Sequence, residues 1–288
     1  MFTGAMTAMV TPFSNREVDE ARLRNNVSFQ IDHGISGLVP CGTTGESPTL
    51  SHDEHRRVVA QVVEAANGRV PVIAGAGSNS TAEALELTQH AKSVGAAATL
   101  QVNPYYNKPT QEGLYRHFAT IADAVDLPMV LYNIPGRSVV ELSPETIERL
   151  AAHPNIVATK EATGSMDVAS QVIASTDLTV LSGDDSLTLP LMSIGARGVI
   201  SVFANIAPKW VTAMTDAALA GDFVSAREQH LSMFPLCKAM FLETNPIPVK
   251  TAMKLLGADS GEMRLPMCEM SEANTSILRD ALRDGKLL

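Results

Sequence analysis

The run NIVATKEA at residues 155–162 decides the fold, because it is a short, mostly apolar segment set between longer amphipathic stretches. Seven more runs of this kind occur, at residues 7–13, 37–42, 71–77, 98–104, 128–135, 178–185 and 198–205. Short apolar runs that alternate with helix-period stretches are typical of parallel strands buried on both faces. Eight such units within about 220 residues predict an α/β fold, the (β/α)8 TIM barrel, rather than an open doubly wound sheet. No GxGxxG follows the first run, which further disfavours a dinucleotide-binding fold.

Helix signals fit the same division of the chain. Ser51, with Glu54 three residues later, predicts a capping box that opens a helix, and Gly68 is placed to end it. Pro144 follows Ser143 and is expected in the first turn of another helix. Both helices begin in the stretches between strand runs, as a barrel requires.

The C-terminal part of the chain has a different pattern. After residue 205 no strand run follows, and residues 208–288 predict helices with one break at GADSGEM, residues 257–263. No linker rich in Gly, Ser or Pro separates this part, so we expect it to pack on the barrel as one body. The predicted organisation is a barrel over residues 1–224 and a C-terminal helical bundle over residues 225–288.

Composition narrows the class of function. The 288 residues are 45% hydrophobic and 18% charged, with a net charge of −9, which disfavours a nucleic-acid partner. No stretch approaches the roughly 18 apolar residues of a membrane span, and the opening MFTGAMTAMVTPF lacks the cationic start of a signal peptide. A cytoplasmic protein with a small-molecule substrate is expected. Its three cysteines, Cys41, Cys237 and Cys268, are expected to be buried hydrophobic residues rather than disulfide partners.

The carboxyl ends of the strands, where barrel active sites lie, point to Lys160. Of the eight lysines, only Lys160 falls inside a strand run, and a lysine there can attack a ketone as the neutral amine and form a Schiff base. A buried lysine neutralised by Glu161 or an aspartate is the structural alternative, although neighbours on a strand point to opposite faces. Glu161, Asp184 and Asp185 could instead hold Mg²⁺.

Other strand ends offer groups that suit such a lysine. The turn Gly42–Glu46 leaves backbone N–H groups free to hold a carboxylate, although Gly- and Thr-rich turns often only connect elements. Tyr132 ends the strand next to that of Lys160 and could carry protons, or could simply cap the core. Arg137 could bind a second carboxylate, or could form a surface ion pair.

These residues lie in motifs that resemble the pyruvate-dependent class I aldolase/lyase family. The resemblance covers essentially the whole chain and is closest to the branch that condenses pyruvate with L-aspartate 4-semialdehyde. Its motifs are GTTGES at 42–47, PVIAGAG at 71–77, PYYNKPTQEGLYRHF at 104–118, LYNIPGR at 131–137, KEATG at 160–164, LSGDD at 181–185, GVISV at 198–202 and NPIPVK at 245–250.

The resemblance implies a role for each motif residue. Lys160 takes the imine-forming position, and the hydroxyl relay comprises Thr43, Tyr132 and Tyr106. Thr43 and Thr44 hold the pyruvate carboxylate, Ile200 faces pyruvate, and Arg137 binds the carboxylate of the aldehyde. The implied product is 4-hydroxy-tetrahydrodipicolinate, at the start of diaminopimelate and lysine synthesis. No metal or cofactor is implied.

Assembly is implied in the same way. Tyr106 matches a tyrosine that reaches into the site of a neighbouring subunit, so a dimer is the implied minimum. A homotetramer built from two such dimers is the usual form.

Two other functions remain open. N-acetylneuraminate lyases and keto-sugar-acid aldolases share the lysine, the glycine turn and the tyrosine, but usually lack the Thr43–Thr44 pair and an arginine like Arg137. A barrel that only senses a keto acid is the third reading. One position departs from the pattern, because Val139 stands where the loop after the arginine commonly has glycine. If that position has positive φ, valine strains the turn.

A regulatory site is also implied, since some members of the family bind L-lysine as a feedback inhibitor. The residue types of that site are matched here by Ser47, His52, His55, Asn79, Glu83 and Tyr105. Pro48 departs from the small residue that is common beside them. From the residues alone, two histidines three positions apart on a helix are usually just a solvated face.

Overall fold

Eight parallel strands form the barrel in this computed structural model, which describes residues 2–288. The strands of the chain are β1 (Gly4–Ala8), β2 (Phe13–Ser14), β3 (Glu17–Val18), β4 (Gly37–Val39), β5 (Ile73–Gly75), β6 (Ala98–Val102), β7 (Met129–Asn133), β8 (Ile156–Glu161), β9 (Thr179–Ser182) and β10 (Gly198–Ser201). Around the barrel the order is β4-β1-β10-β9-β8-β7-β6-β5, and a parallel bridge between Leu38 and Val72 closes the ring. The predicted TIM barrel is confirmed.

Helices follow the barrel strands and then continue alone to the end of the chain. They are α1 (Glu20–Asp32), α2 (His52–Ala66), α3 (Thr81–Ser93), α4 (Gln111–Ala124), α5 (Pro135–Ser138), α6 (Pro144–Ala151), α7 (Met166–Ser175), α8 (Thr188–Ser193), α9 (Pro208–Leu219), α10 (Phe223–Ala239), α11 (Ile247–Leu255) and α12 (Glu272–Asp284). Within residues 2–288, no helix combines the length and apolar character that crossing a bilayer requires.

The first strand lies earlier than residues 7–13, so that prediction is wrong in position. The strand covers Gly4–Ala8 and pairs in parallel with β10, starting with Gly4 against Gly198. The backbones approach so closely there that a Cβ at Gly198 would lie 2.0 Å from the Gly4 carbonyl oxygen. Pro12 has no N–H for a ladder, and the following Phe13 starts the separate antiparallel hairpin of β2 and β3.

The predicted helix starts are confirmed at α2 and α6. The Ser51 hydroxyl accepts from the Glu54 N–H, and the Glu54 carboxylate accepts from the Ser51 N–H, which is the full capping box. Ser143 likewise accepts from the Thr146 N–H. Helix α2 ends at Ala66, two residues before Gly68, because Asn67 already takes the left-handed conformation with φ of 48°.

Two layers make up the core. The outer layer lies between strands and helices, and the inner layer fills the barrel itself. The buried inner side chains are Phe2, Met6, Ala8, Val39, Ile73, Ala98, Leu100, Val130, Tyr132, Ala158, Leu181 and Ile200. Tyr132 and Ile200 are therefore packed inside the barrel rather than on its outer wall.

The C-terminal bundle differs from its prediction at the break. Helix α11 ends at Leu255 and α12 begins at Glu272, so residues 256–271 contain no helix and the break exceeds 257–263. Arg264 organises this segment by donating from its guanidinium to Glu54, to the Thr49 carbonyl and to the Arg16 carbonyl. The expected boundary at residue 224 falls in the first turn of α10.

The cysteines are not all buried as expected. Cys41 and Cys237 are buried, and burial raises the pKa of both thiols. Cys268 is exposed, which contradicts the prediction. It lies in the irregular segment before α12, which has no helix or strand period from which burial could be predicted.

Candidate active site

A cavity of about 620 Å³ opens at the carboxyl ends of strands β4 to β7. Thr43, Tyr132 and Arg137 line it, and so do residues of α2 and α3. Lys160 does not line the cavity, but its amine packs on the ring of Tyr132, which does. The mouth of the barrel therefore brings together Thr43, Tyr132, Arg137 and Lys160, four of the residues expected to carry the chemistry.

Lys160 is buried in β8 without a carboxylate partner. Tyr132 and Leu181 are its register partners on the two neighbouring strands. Its amine lies 4.2 Å from the centre of the Tyr132 ring. Among the ion pairs of residues 2–288, the fully buried lysine is Lys250 and not Lys160.

Glu161 points to the other face of the strand, as the alternation of side chains requires. Its carboxylate accepts from the Thr163 N–H at 2.6 Å, and burial raises the pKa of this carboxyl. The alternative in which Glu161 neutralises Lys160 is therefore wrong.

Gly183 makes room for the lysine. A Cβ at this position would lie 3.1 Å from Cε of Lys160 and 2.7 Å from Cβ of Ala162. Contacts this short force neighbouring atoms to move, so a side chain at position 183 would displace the lysine. The glycine of the LSGDD motif thus has a steric reason to be there.

The turn after β4 is shaped to bind an anion. Gly45 and Ser47 donate their N–H groups to the Gly42 carbonyl, which closes the turn. Within residues 2–288, the N–H groups of Thr43 and Thr44 have no protein acceptor. Unpaired N–H groups in a tight turn form a site for a carboxylate. This placement agrees with the role expected for the two threonines.

Arg137 reaches the same mouth from the short helix α5. Its guanidinium donates to the Asn245 carbonyl at 3.1 Å and to the Thr244 hydroxyl at 3.4 Å. The Asn245 side-chain amide in turn donates to the Thr44 hydroxyl at 2.9 Å. Arg137 is thus tied to the threonine turn and does not take part in a surface ion pair.

Val139 ends α5 in the left-handed conformation, with φ of 66°. Its side chain is 62% exposed and has little packing to offset the strain of that conformation. The Val139 N–H donates to the Pro135 carbonyl at 2.9 Å, so the turn is still closed. The expected strain is present, and Arg137 keeps its place in the mouth.

Tyr106 is the one expected catalytic residue that does not lie at the mouth of its own barrel. Its side chain is 89% exposed, and its backbone is left-handed with φ of 74°. Such exposure is unusual for a tyrosine, whose ring is usually at least half buried.

Asp184 and Asp185, the two acidic residues that follow β9, have different hydrogen-bond partners. Asp185 is buried, and its carboxylate accepts from the Ser201 hydroxyl at 2.5 Å and from the N–H groups of Val202 and Phe203, each at 3.0 Å. Asp184 accepts from the Ser186 N–H and hydroxyl. Within residues 2–288, no three His, Cys, Asp or Glu side chains cluster as metal ligands would.

The residues expected to bind an effector lie together on α2, α3 and the loops beside them. His52 Nε2 lies 2.7 Å from Glu83 Oε1, and the Ser78 hydroxyl donates to the other oxygen of Glu83. Asn79 donates to the Tyr105 carbonyl at 3.0 Å. These contacts lie at one side of the cavity at the barrel mouth. The residues of this group that line it are Ser47, His52, His55, Glu83 and Tyr105.

His55 is the buried member of this group. Burial lowers its pKa to about 4, so its ring is neutral near pH 7. Both ring nitrogens are buried and have no hydrogen-bond partner within residues 2–288. A neutral imidazole with free nitrogens can accept from or donate to a small polar ligand.

Sequence reasoning missed two residues that support the mouth. Asn245 joins Thr44 to Arg137, and Lys250 forms a fully buried ion pair with Glu46. In the sequence, Lys250 appears only as the last residue of the motif NPIPVK. The available signal was its surroundings, because α11 reads IPVKTAMKL and places Lys250 among residues that are mostly buried.

Comparison with known proteins gives one family. A family model described as "Dihydrodipicolinate synthetase family" matches residues 1–284. The 4-hydroxy-tetrahydrodipicolinate synthase of Geobacter sulfurreducens is 57% identical over 290 residues and covers 100% of both chains.

Solved structures agree. A chloride-inhibited dihydrodipicolinate synthase from Acinetobacter baumannii, complexed with pyruvate, is 45% identical and matches 100% of both chains with a TM-score of 0.98. A synthase from Cyanidioschyzon merolae with lysine bound is 41% identical, covers 100% of this chain and 99% of its own, and has a TM-score of 0.97.

Proposed function

The chain belongs to the dihydrodipicolinate synthetase family, and we propose that it condenses pyruvate with L-aspartate 4-semialdehyde to give 4-hydroxy-tetrahydrodipicolinate. The observation that carries the proposal is Lys160, buried inside the barrel against Tyr132 and without a carboxylate partner. A lysine amine with no carboxylate partner, placed beside a bound ketone, can attack it and form a Schiff base. The cavity at the mouth has room for both small substrates.

The first half of the reaction forms the imine. The carboxylate of pyruvate is held by the free N–H groups of Thr43 and Thr44, which places its ketone towards Lys160. The amine adds to the keto carbon, and the oxygen leaves as water. Loss of a proton from the pyruvate methyl then gives an enamine, with the protonated imine as the electron sink. This chemistry requires no metal or organic cofactor.

The second half uses the aldehyde. Arg137 binds its carboxylate, and the enamine carbon attacks the aldehyde carbon, whose oxygen takes up a proton. The amino group of the same substrate then adds to the imine carbon, and Lys160 leaves as the free amine. Tyr132 supplies and removes protons at the imine, since its ring already lies against the amine.

Borohydride trapping tests the imine. Reduction in the presence of pyruvate should add the mass of a reduced pyruvate adduct to the peptide containing Lys160. The Lys160→Ala variant should stay unlabelled while it keeps the wild-type circular dichroism spectrum. Label on a different lysine, or no label on the wild type, would rule out the assignment.

The acceptor distinguishes the synthase from its relatives. L-aspartate 4-semialdehyde should be consumed with pyruvate, whereas N-acetylmannosamine and sugar-acid aldehydes should not. The Arg137→Ala variant should raise the KM for the aldehyde and leave the KM for pyruvate near the wild-type value. Preferential use of a sugar aldehyde would support the N-acetylneuraminate lyase or keto-sugar-acid aldolase reading.

We propose that Tyr106 acts in the site of a neighbouring subunit, in a homotetramer built from dimers. Its 89% exposure and its absence from the lining of the mouth cavity support this placement. Mixing inactive Lys160→Ala protein with low-activity Tyr106→Phe protein, followed by dissociation and reassociation, should restore activity through hybrid sites. Light scattering gives the mass of the assembly. A fully active monomer would exclude the shared site.

We also propose feedback inhibition by L-lysine at the group around Glu83. Glu83 can bind an ammonium, and the similar Cyanidioschyzon merolae structure has lysine bound. Initial rates should fall at millimolar L-lysine, and Glu83→Gln should abolish the effect without changing the uninhibited rate. Unchanged wild-type rates at that concentration would remove this part of the proposal.

A further inference from the structure

We propose that Lys250, in the C-terminal bundle, is a positioning residue for the turn that binds pyruvate. It acts through Glu46, the last residue of that turn, and does not touch substrate. The inference rests on the proposed function in one respect, namely that the N–H groups of Thr43 and Thr44 bind the pyruvate carboxylate.

The pair between Lys250 and Glu46 is short and fully enclosed. The Lys250 amine lies 2.6 Å from Glu46 Oε1, and the two side chains are 0% and 1% exposed. The same amine donates to the Thr11 carbonyl at 2.9 Å and lies 4.4 Å from the centre of the Phe13 ring. The other Glu46 oxygen accepts from the Arg264 N–H at 3.1 Å. Both charged groups are therefore fully engaged.

A buried ion pair is weak evidence for stability, because well-packed apolar residues often stabilise a protein as well or better. A role in fixing geometry is a better account of this pair. Glu46 has the left-handed conformation, with φ of 53°, which is strained for a residue other than glycine. The hydrogen bonds from Lys250 and Arg264 to its carboxylate help to hold that conformation.

Lys250 and Thr11 together fix two adjacent residues of the turn. The Thr11 carbonyl accepts from Lys250, and the Thr11 hydroxyl donates to the Gly45 carbonyl at 2.7 Å. Gly45 and Glu46 are thus anchored together on the side of Lys250. The turn is held from outside at its end, which leaves the N–H groups of Thr43 and Thr44 free at its middle.

The experiment separates the effect of Lys250 on pyruvate binding from its effect on protein stability. Lys250→Met should raise the KM for pyruvate about tenfold, as expected when a hydrogen bond to a charged group is lost. We expect kcat and the KM for the aldehyde to stay within about threefold of wild type. Lys254→Met, one turn later on α11 and exposed, is the matched control and should keep the wild-type constants.

The double variant Glu46→Gln/Lys250→Met keeps the inference testable if the single variant folds poorly. It leaves no lone buried charge, so it should recover most of the thermal stability that Lys250→Met loses. Its KM for pyruvate should remain raised, because the turn still lacks the contact between residues 46 and 250. Recovery of both stability and pyruvate affinity would make the pair merely structural and would overturn the inference.

Trapping with borohydride distinguishes failure of the inference from failure of the proposed function. A wild-type chain that labels at Lys160 with pyruvate, beside a Lys250→Met variant of equal pyruvate affinity, overturns the positioning role alone. A wild-type chain that does not label overturns the proposed function and this inference with it. Labelling that needs about tenfold more pyruvate in Lys250→Met supports the inference.

Discussion

The amine of Lys160 lies 4.2 Å from the centre of the Tyr132 ring, and the two residues are register partners on adjacent strands. The ring thus contributes a surface as well as a hydroxyl. Its electron-rich face attracts a cation, while its packing orients the long, flexible lysine side chain. These two contributions can be separated by substitution.

Tyr132→Phe should keep the surface and remove the hydroxyl. We expect kcat to fall by about 100-fold to 10,000-fold, the usual contribution of a positioned acid or base. Pyruvate should still be trapped on Lys160 at equilibrium, although more slowly. Tyr132→Leu should lose both rate and trapping. A Tyr132→Phe enzyme with wild-type kcat would show that another group carries the proton.

Gly183→Ala should displace the side chain of Lys160. The added Cβ would lie 3.1 Å from Cε of Lys160 and 3.0 Å from the Glu161 carbonyl oxygen, so the lysine or the strand must move. We expect a loss of at least about tenfold in kcat/KM and of about 1–3 kcal/mol in stability. Gly136→Ala is the control, because a Cβ there meets nothing within 4 Å. Equal activity of both variants would contradict the steric account.

Val139→Gly should stabilise the protein. Removing the left-handed strain of a side-chain-bearing residue gains about 1–2 kcal/mol, of which the flexibility of glycine in the unfolded chain offsets roughly half. Val139→Ala retains most of the strain and should gain less. Urea unfolding of the three proteins gives the ranking. A Val139→Gly protein less stable than wild type would show that the valine has contacts that offset its strain.

Acid stability should depend on the pair of Arg264 and Glu54. The two hydrogen bonds from the Arg264 guanidinium lower the pKa of the Glu54 carboxyl to about 2. Because the pKa is lower in the folded state, the pair stabilises the protein above the ordinary glutamate pKa of about 4.3. That stabilisation is lost as the pH falls from about 4.3 towards about 2.

Melting temperatures between pH 5 and pH 3 check this prediction. The wild-type protein should lose stability more steeply over this range than Arg264→Met, in which the Glu54 carboxyl no longer has its arginine partner. Arg283→Met, which removes only a surface contact of 3.6 Å to Asp280, should behave as wild type. Parallel curves for wild type and Arg264→Met would refute the assignment.

Local sequence signals were sufficient for the barrel and for the position of Lys160 within a buried strand. The apolar runs gave the number of barrel strands and located seven of the eight, and Ser51 and Ser143 marked helix starts, because both signals depend on neighbours along the chain. Lys160 stood out since a lysine inside a buried strand is rare. The first strand was misplaced because its position depends on the close pairing of Gly4 with Gly198. That pairing joins the first and last strands of the barrel, which are far apart in the sequence.

What could not be predicted depends on contacts distant in sequence. Lys250 looks like any helical lysine until its partner, 204 positions earlier, is known. Asn245 likewise acquires its role only from Thr44 and Arg137, which lie on other elements. The resemblance includes the motif NPIPVK, but it implies no role for the lysine that ends this motif.

The bond from Lys250 to the Thr11 carbonyl spans 239 positions, so the order of synthesis matters for this protein. A nascent chain can expose every barrel strand, and with them Lys160, once Ser201 has left the ribosome. The turn Gly42–Glu46, however, acquires its full set of anchors only after residue 264 has emerged. We therefore expect this turn to be fixed, and the competence to bind substrate to be gained, late in translation.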